Sequence, residues 1–143
     1  MKLSTRARYA LRAMVDLAMH YDQQPVPRKD IARRQELSPH YIEQLFIDLR
    51  EAGLIDAVRG PGGGYMLTSS PEQTKVGAVV EAVEEVRAPV PCLVQESGYA
   101  CHRAPTCVTR RLWQQLGERT SEFLNSITLQ DLCDEARELA EPD

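Results

Sequence analysis

Three cysteines lie within sixteen residues of this chain and are its clearest candidates for chemistry. Cys92, Cys101 and Cys107 follow the pattern C-x8-C-x5-C. Thiolate sulfur is a soft ligand that favours iron–sulfur clusters, zinc and copper. A zinc site typically contains a C-x2-4-C pair, and the sequence has no such pair. The triplet therefore favours an iron–sulfur centre over zinc, and a metal-free thiol redox switch stays open as an alternative.

The compartment of the chain bears on what its cysteines do. The N-terminal segment MKLSTRARYA carries charges with no apolar stretch behind them, which argues against a signal peptide. No apolar run approaches the roughly twenty residues of a membrane span, so we expect a cytoplasmic protein with no membrane partner. In a reducing cytosol, clustered cysteines indicate metal or redox chemistry rather than structural disulfides. The fourth cysteine, Cys133, lies near Leu129 and Leu132 on the predicted last helix, and we expect it to be a buried small apolar residue.

Charge is unevenly distributed along the chain. Its 143 residues suffice for one domain, or for one domain with an appended helix. Residues 1–64 hold ten Lys and Arg against eight Asp and Glu, a net charge of +2, whereas residues 65–143 hold seven against thirteen, a net charge of −6. A mildly basic front half and an acidic back half fit a DNA-binding head followed by a separate regulatory region.

The first half of the sequence predicts a helix-turn-helix. Apolar spacings of three and four predict a first helix over about 4–20 and a second over about 28–35. Ser38 and Pro39 suit the cap and the first position of a third helix, which Gly53 ends. Two helices joined by a tight turn form the motif whose second helix enters the major groove. The residues expected to face the core are Ala7, Ala10, Met14, Leu17, Ala18, Tyr21, Ile31, Ala32, Ile42, Leu45, Phe46 and Leu49.

A β-hairpin is predicted directly after the third helix. Residues 54–58 and 65–68 read as strands on either side of the tip RGPGGG. This is the pattern of the wing of a winged helix, with a plain hairpin loop as the alternative. Arg59, beside Gly60 and Gly62, can approach the DNA backbone or minor groove because few β-carbons obstruct the tip. No helix or lysine follows the glycines, so the tip is not a phosphate-binding loop, and no other motif indicates an enzyme.

The second half predicts three helices around the cysteine loop, over about 76–85, 106–125 and 129–139. The long middle helix carries an apolar stripe that can pack on its own domain or on a twin. Its members are Val108, Leu112, Trp113, Leu116, Phe123 and Leu124. The predicted fold is mainly α with a small β-hairpin. The predicted units are a winged helix-turn-helix domain (1–85), a cysteine-bearing loop (86–107), and a dimerisation helix with a C-terminal helix (108–143).

Motifs along the whole chain resemble one family. MKLSTRARYALRAM, SPHYIEQLFIDLREAGL, VRGPGGGY, RRLWQQL and FLNSITLQDL are similar to the Rrf2 family of winged-helix transcriptional regulators, and in particular to its iron–sulfur members. The resemblance runs from residue 1 to about 135. It implies a homodimer held by the long helix. Each third helix would enter a major groove of double-stranded operator DNA, with the wing in the adjacent minor groove.

The resemblance also implies which residues contact DNA. His40, Tyr41, Glu43 and Gln44 are expected on the exposed face of the third helix, where Glu43 would help to discriminate operator types. A carboxylate repels phosphate, so it is useful only where a cytosine amino group or a nearby cation offsets it. Gln44 can pair with adenine, and a solvated helix face is the alternative for both. The full expected set is Arg8, Arg28, Ser38, His40, Tyr41, Glu43, Gln44, Arg50, Arg59, Gly60 and Gly62.

The cluster ligands implied by the resemblance are incomplete in this chain. The iron–sulfur members use three cysteines and a histidine three residues after the third, a position that Arg110 holds here and that cannot ligate iron. The first spacing is also longer than theirs. His102 adjoins Cys101 too closely to share a metal comfortably, and Arg8 and Arg12 occupy positions from which other members take a ligand. A [2Fe–2S] cluster is the favoured cofactor, and a [4Fe–4S] cluster with one open iron is the alternative.

The expected function is therefore a transcriptional regulator that senses iron–sulfur, redox or nitric-oxide status. Ordering or loosening the loop at 92–107 would shift the dimer helix and the recognition helices. The machinery that assembles clusters is a candidate partner. Two other functions stay open: a metal-free thiol-redox regulator of the same fold, and a regulator that acts by binding a metabolic enzyme.

Overall fold

The chain folds into α-helices with one β-hairpin, which confirms the predicted fold class. The computed structural model describes residues 3–84, 88–94 and 101–141. The elements along these ranges are α1 (Thr5–Met19), α2 (Arg28–Gln35), α3 (Pro39–Glu51), β1 (Ile55–Val58), β2 (Gly64–Leu67), α4 (Val76–Val83), α5 (Val108–Asn125) and α6 (Leu129–Ala140). No helix of the described ranges is both long enough and apolar enough to cross a membrane.

Helix α1 lies at the centre of the core and contacts α2, α3, α4 and α6. Ser4 caps its start, since the Ser4 hydroxyl oxygen accepts a hydrogen bond from the backbone N–H of Ala7 at 3.0 Å. Its buried face includes several alanines, and small side chains let neighbouring helices approach closely. The predicted inward position of Tyr21 is wrong. The helix ends at Met19, and Tyr21 lies in the following turn with 39% of its surface exposed.

The helix-turn-helix forms where the sequence predicts it. After α2, Glu36 adopts a left-handed φ of 57° that turns the chain toward α3. The Ser38 hydroxyl oxygen accepts a hydrogen bond from the backbone N–H of Tyr41 at 3.1 Å, and Pro39 occupies the first position of α3. All of the predicted inward residues of the two helices are buried: Ile31, Ala32, Ile42, Leu45, Phe46 and Leu49.

A buried carboxylate fastens α2 to α1. Asp16 is only 4% exposed and accepts hydrogen bonds from Nε and Nη2 of Arg34 at 2.9 and 2.7 Å. A third hydrogen bond comes from Nε2 of Gln35 at 3.0 Å. The hydrogen bonds to Asp16 raise the pKa of Arg34. The last turn of α2, which leads into α3, is therefore anchored to α1 by charge-assisted hydrogen bonds.

The strands β1 and β2 pair antiparallel, with Ile55 opposite Leu67. The hairpin is joined to the segment before α2, because Val26 and Tyr65 exchange two backbone hydrogen bonds of 2.9 Å each. Gly64 permits this approach, since a β-carbon there would lie 2.1 Å from the carbonyl oxygen of Val26. The wing therefore sits tightly on the chain just before the helix-turn-helix.

Helix α6 packs onto the N-terminal half of the chain, and α5 contacts that half through α4. Leu129 and Cys133 of α6 belong to the same buried cluster as α1, which confirms the expectation for Cys133. Backbone hydrogen bonds of 2.9 Å from Val76 to Ile127 and from Leu129 to Thr74 tie the start of α4 to the junction between α5 and α6. No residue of α5 is buried. The division into units 1–85, 86–107 and 108–143 stays a prediction.

Candidate functional site

The exposed face of α3 carries the polar residues that the sequence assigns to DNA contact. His40, Glu43 and Gln44 are all exposed, and the opposite face of the helix is buried in the core. Tyr41 differs from the expectation, because it is half-buried and its ring packs edge-on against that of Tyr9, with ring centroids 6.0 Å apart. Three side chains on this face are therefore exposed to solvent, whereas Tyr41 packs against α1.

The tip of the wing lies beside the N-terminal ends of α2 and α3. Arg59, Gly60 and Gly62 are exposed, and the two glycines adopt φ values of 91° and 75°, which side-chain-bearing residues rarely adopt. One groove is lined by Arg28 and Lys29 of α2, Pro39 of α3, and Gly60 and Tyr65 of the wing. The structure therefore brings the wing and the helix-turn-helix to a common surface.

The predicted basic contacts differ in their surroundings. Arg50 is exposed in the last turn of α3. Arg8 is exposed on α1, where its guanidinium donates to the Thr5 hydroxyl at 3.3 Å. Two neighbours on α1 are engaged within the protein, since Arg6 pairs with Asp48 and Arg12 donates to the backbone carbonyl of Gln35 at 2.6 Å. Of the three arginines on α1, Arg8 is therefore the best placed to meet a phosphate.

Arg28 and Glu43 form an ion pair on the candidate DNA surface. Nη1 of Arg28 lies 2.6 Å from Oε2 of Glu43, and the two side chains are 43% and 48% exposed. Burial raises the pKa of the adjacent Tyr65; the charge of Arg28 opposes this rise and that of Glu43 adds to it. From the sequence we expect a cytosine amino group or a nearby cation to offset Glu43. The sequence does not indicate Arg28 as that cation, because the two residues are 15 apart and lie on different helices.

The three loop cysteines are half-exposed free thiols at separate points of the loop. Cys92 lies in a single helical turn, Pro91–Leu93. Cys101 begins a turn in which its carbonyl accepts from the N–H of Ala104 at 3.1 Å. Cys107 is the residue just before α5. Residues 95–100, which join Cys92 to Cys101, lie outside the described ranges.

The thiol of Cys107 is hydrogen-bonded at the start of α5. Its sulfur lies 3.2 Å from the Thr109 hydroxyl oxygen. This hydrogen bond lowers the pKa of Cys107, and the backbone N–H groups of Arg110 and Thr109 act in the same direction. Thiolate is the form that binds metal and reacts with oxidants. By contrast, burial raises the pKa of Cys133, so its thiol is suited to packing rather than to ligation.

The donor set suits an iron–sulfur centre in kind, but its ligands are not assembled. Within the described residues, no three His, Cys, Asp or Glu side chains form a group that could hold a metal ion. Arg110, which occupies the position of the expected fourth ligand, lines a pocket with Cys107 and Gln114. Its Nε is buried and has no hydrogen-bond partner among the described residues. The loop would have to rearrange for its three cysteines to share one centre.

Helix α5 exposes the predicted apolar stripe. Val108, Leu112 and Phe123 are 77%, 53% and 63% exposed, and Trp113 and Leu116 are each 37% exposed. Exposed apolar surfaces of this kind are typical of protein interaction sites.

Comparison with known proteins also points to a transcriptional regulator. Residues 3–135 match the model of a family described as "Rrf2: Iron-dependent Transcriptional regulator". The chain is 46% identical over 132 residues to the HTH-type transcriptional regulator IscR of Erwinia tasmaniensis, a match that covers 92% of this chain and 78% of that protein.

Solved structures agree with the fold. The structure of T. potens IscR is similar with a TM-score of 0.80 at 37% identity, covering 100% of this chain and 93% of that one. CymR, described as the global cysteine regulator of B. subtilis, is similar with a TM-score of 0.76 at 37% identity, covering 94% and 98%. Both similarities extend over the DNA-binding half and the C-terminal helices.

Proposed function

Because this chain belongs to the Rrf2 family of transcriptional regulators, we propose that it binds operator DNA as a homodimer and adjusts that binding through its cysteine loop. As a transcription regulator, it is not an enzyme. The observation that carries the proposal is the groove in which the first residues of α2 and α3 lie beside Gly60 and Tyr65 of the wing, next to the exposed face of α3. On this surface, α3 supplies side chains for base edges and Arg59 supplies a charge for the phosphates or the minor groove.

Operator selection tests the DNA-binding part. The dimeric protein is incubated with a library of random duplexes, and the enriched sequences are measured for affinity at several salt concentrations. We expect an enriched, partly palindromic sequence. Arg59→Ala should weaken binding to every duplex, because phosphate contacts carry little sequence information. Gln44→Ala should relax the preference at one base position. The absence of any enriched sequence would refute operator binding.

The exposed stripe of α5 supports the homodimer. In small proteins, a contiguous apolar helix face that the monomer leaves open is typically covered by a partner. Leu112→Glu introduces a charge into the stripe and should convert the dimer to a monomer in a native mass measurement. Glu118→Gln, a change on the same helix, is the control for general effects on α5. A monomeric native protein would contradict this part.

Cys92, Cys101 and Cys107 are the proposed ligands of an iron–sulfur cluster, with [2Fe–2S] favoured and [4Fe–4S] as the alternative. The description of the family as iron-dependent and the lowered pKa of Cys107 support this assignment. Such a cluster supplies one-electron redox chemistry and reacts with oxygen or nitric oxide. Arg110 cannot ligate iron, so we assign three protein ligands.

Anaerobic reconstitution tests the cluster. The metal-free protein is treated with iron and sulfide, and its visible absorption, iron content and sulfide content are measured. We expect charge-transfer absorption that Cys107→Ser abolishes. Cys133→Ala removes a thiol from the core and should leave the absorption unchanged, which makes it the matched control. A colourless native protein after reconstitution would overturn the assignment.

A metal-free thiol switch is the second candidate, favoured by two observations. The sulfur of Cys107 is accessible and hydrogen-bonded to Thr109, and the described cysteines do not converge on a metal position. A thiolate attacks peroxide with cleavage of the O–O bond, giving a sulfenic acid and hydroxide. In this case, peroxide should change DNA affinity in protein that contains no iron, and Cys107→Ser should abolish the change.

A further inference from the structure

The ion pair between Arg28 and Glu43 lies where the protein would read bases, and this inference rests on the proposed operator binding. Glu43 is an exposed acidic residue in the first half of α3, and Arg28 is the first residue of α2. Their side chains meet at 2.6 Å in the free protein. Arg28 also lines the groove between α2 and the wing, together with Tyr65. The pair therefore sits between the two elements that approach DNA.

In the free protein, such a pair contributes little to stability, because both side chains are largely hydrated. A duplex changes that balance. When α3 enters a groove, water is displaced and the phosphates surround Glu43 with negative charge. An unpaired carboxylate in that position is repelled unless a cytosine amino group donates to it. A carboxylate that already holds a guanidinium carries no net charge into the groove.

We propose that Arg28 is a specificity-determining positioning residue, which neutralises Glu43 and lets α3 bind operators that offer no cytosine amino group at that position. Arginine suits this role because its planar guanidinium has five N–H donors. One edge can hold Glu43 while other donors reach a phosphate. Without Arg28, the protein binds only operators that have cytosine at the position facing Glu43. With Arg28, it also binds operators that have other bases there. Arg28 therefore sets how broad a range of operators the regulator accepts.

A double-mutant cycle tests this role. Two sets of duplexes serve as probes. The first set is enriched by selection with the native protein. The second set differs from the first only at the base pair at which the Glu43→Ala variant has a changed sequence preference. We expect Arg28→Ala to weaken binding to duplexes without cytosine at that position by about tenfold when Glu43 is present, and much less in the Glu43→Ala background. On duplexes with cytosine at that position, Arg28→Ala should reduce the affinity only slightly. Arg28→Lys keeps a cation and should restore part of the tolerance.

Lys29→Ala is the matched control, because it removes one positive charge from the adjacent position of α2. It should weaken binding to all duplexes alike, whether Glu43 is present or replaced in the Glu43→Ala background. Thermal unfolding of every variant should match the native protein, since the pair is exposed. If Arg28→Ala acts like Lys29→Ala, equally in both backgrounds and on both duplexes, Arg28 is only a phosphate contact and the proposal is overturned. If the native protein enriches no sequence, operator binding itself is refuted, and this role with it.

Discussion

Asp16→Asn should cost about 3 kcal/mol of the free energy of unfolding, the lower end of the range for breaking one partner of a buried ion pair. The native carboxylate accepts three hydrogen bonds, two from Arg34 and one from Gln35, over 2.7 to 3.0 Å. An asparagine amide keeps one acceptor oxygen but turns an NH2 group toward donors. The guanidinium then loses its counter-charge. The Arg34 side chain is 29% exposed, so water solvates it in part, and this sets the lower end of the range.

Equilibrium urea unfolding of the metal-free protein, followed by far-UV circular dichroism, measures this loss. Protein concentration is kept the same for all variants, because dimerisation makes stability concentration-dependent. Asp30→Asn is the matched control: it removes the same charge from the i,i+3 pair of Asp30 with Arg33, whose atoms are 3.5 Å apart and whose Arg33 side chain is 72% exposed. We expect that change to cost less than about 1 kcal/mol.

The same substitution should also weaken operator binding in protein that is still folded. Arg34 and Gln35 form the last turn of α2, and the turn at Glu36 sets the direction of α3. Once this turn is released, α3 loses part of its fixed position. If Asp16→Asn destabilises the protein no more than Asp30→Asn does, the buried network does not anchor the helix-turn-helix and this reasoning is refuted.

Three further predictions concern the wing, the recognition helix and the loop. Gly64→Ala places a β-carbon 2.1 Å from the Val26 carbonyl oxygen, so we expect a loss of about 1–3 kcal/mol in urea unfolding; an unchanged midpoint would contradict that contact. Ser38→Ala removes the N-cap of α3 and should cost about 1 kcal/mol in the same assay, whereas a loss near zero would mean that water replaces the cap. In metal-free protein, Cys107 should react with iodoacetamide at lower pH than an ordinary thiol, because its lowered pKa gives more thiolate, and Cys133 should react only after unfolding. Mass spectrometry of both sites over pH checks this, and identical pH profiles would count against it.

Local features of the fold are predictable from the sequence because they depend on near neighbours. The cap at Ser38, the proline after it and the apolar spacing of α3 are all read within a few residues, and the structure confirms them. The hairpin follows from its glycine-rich tip in the same way. Helical periodicity shows which face is buried but not what covers it. For that reason, the sequence predicts the apolar stripe of α5, but only the structure shows that the side chains of the stripe are exposed in the single chain.

Contacts between distant residues could not be predicted. Nothing in the spacing of Arg28 and Glu43 or of Asp16 and Arg34 indicates that they meet, because their separation depends on how the helices pack. Tyr41 lies on the predicted polar side of α3, yet packing against α1 makes it half-buried. The cysteine pattern indicates a kind of ligand, whereas convergence of the ligands depends on the path of the loop between them.

We propose that α5 links changes in the cysteine loop to DNA binding. The helix has 18 residues and is therefore about 27 Å long. Cys107 precedes its first turn, and its far end is fixed to the DNA-binding half, where Asn125 lies against Gly77 of α4. Helix α4 in turn packs on α1 and α3. We infer that a rearrangement of the loop moves the start of α5 relative to its anchored far end. In the proposed homodimer, that movement changes the relative setting of the two recognition helices, and with it the half-site spacing that the dimer accepts.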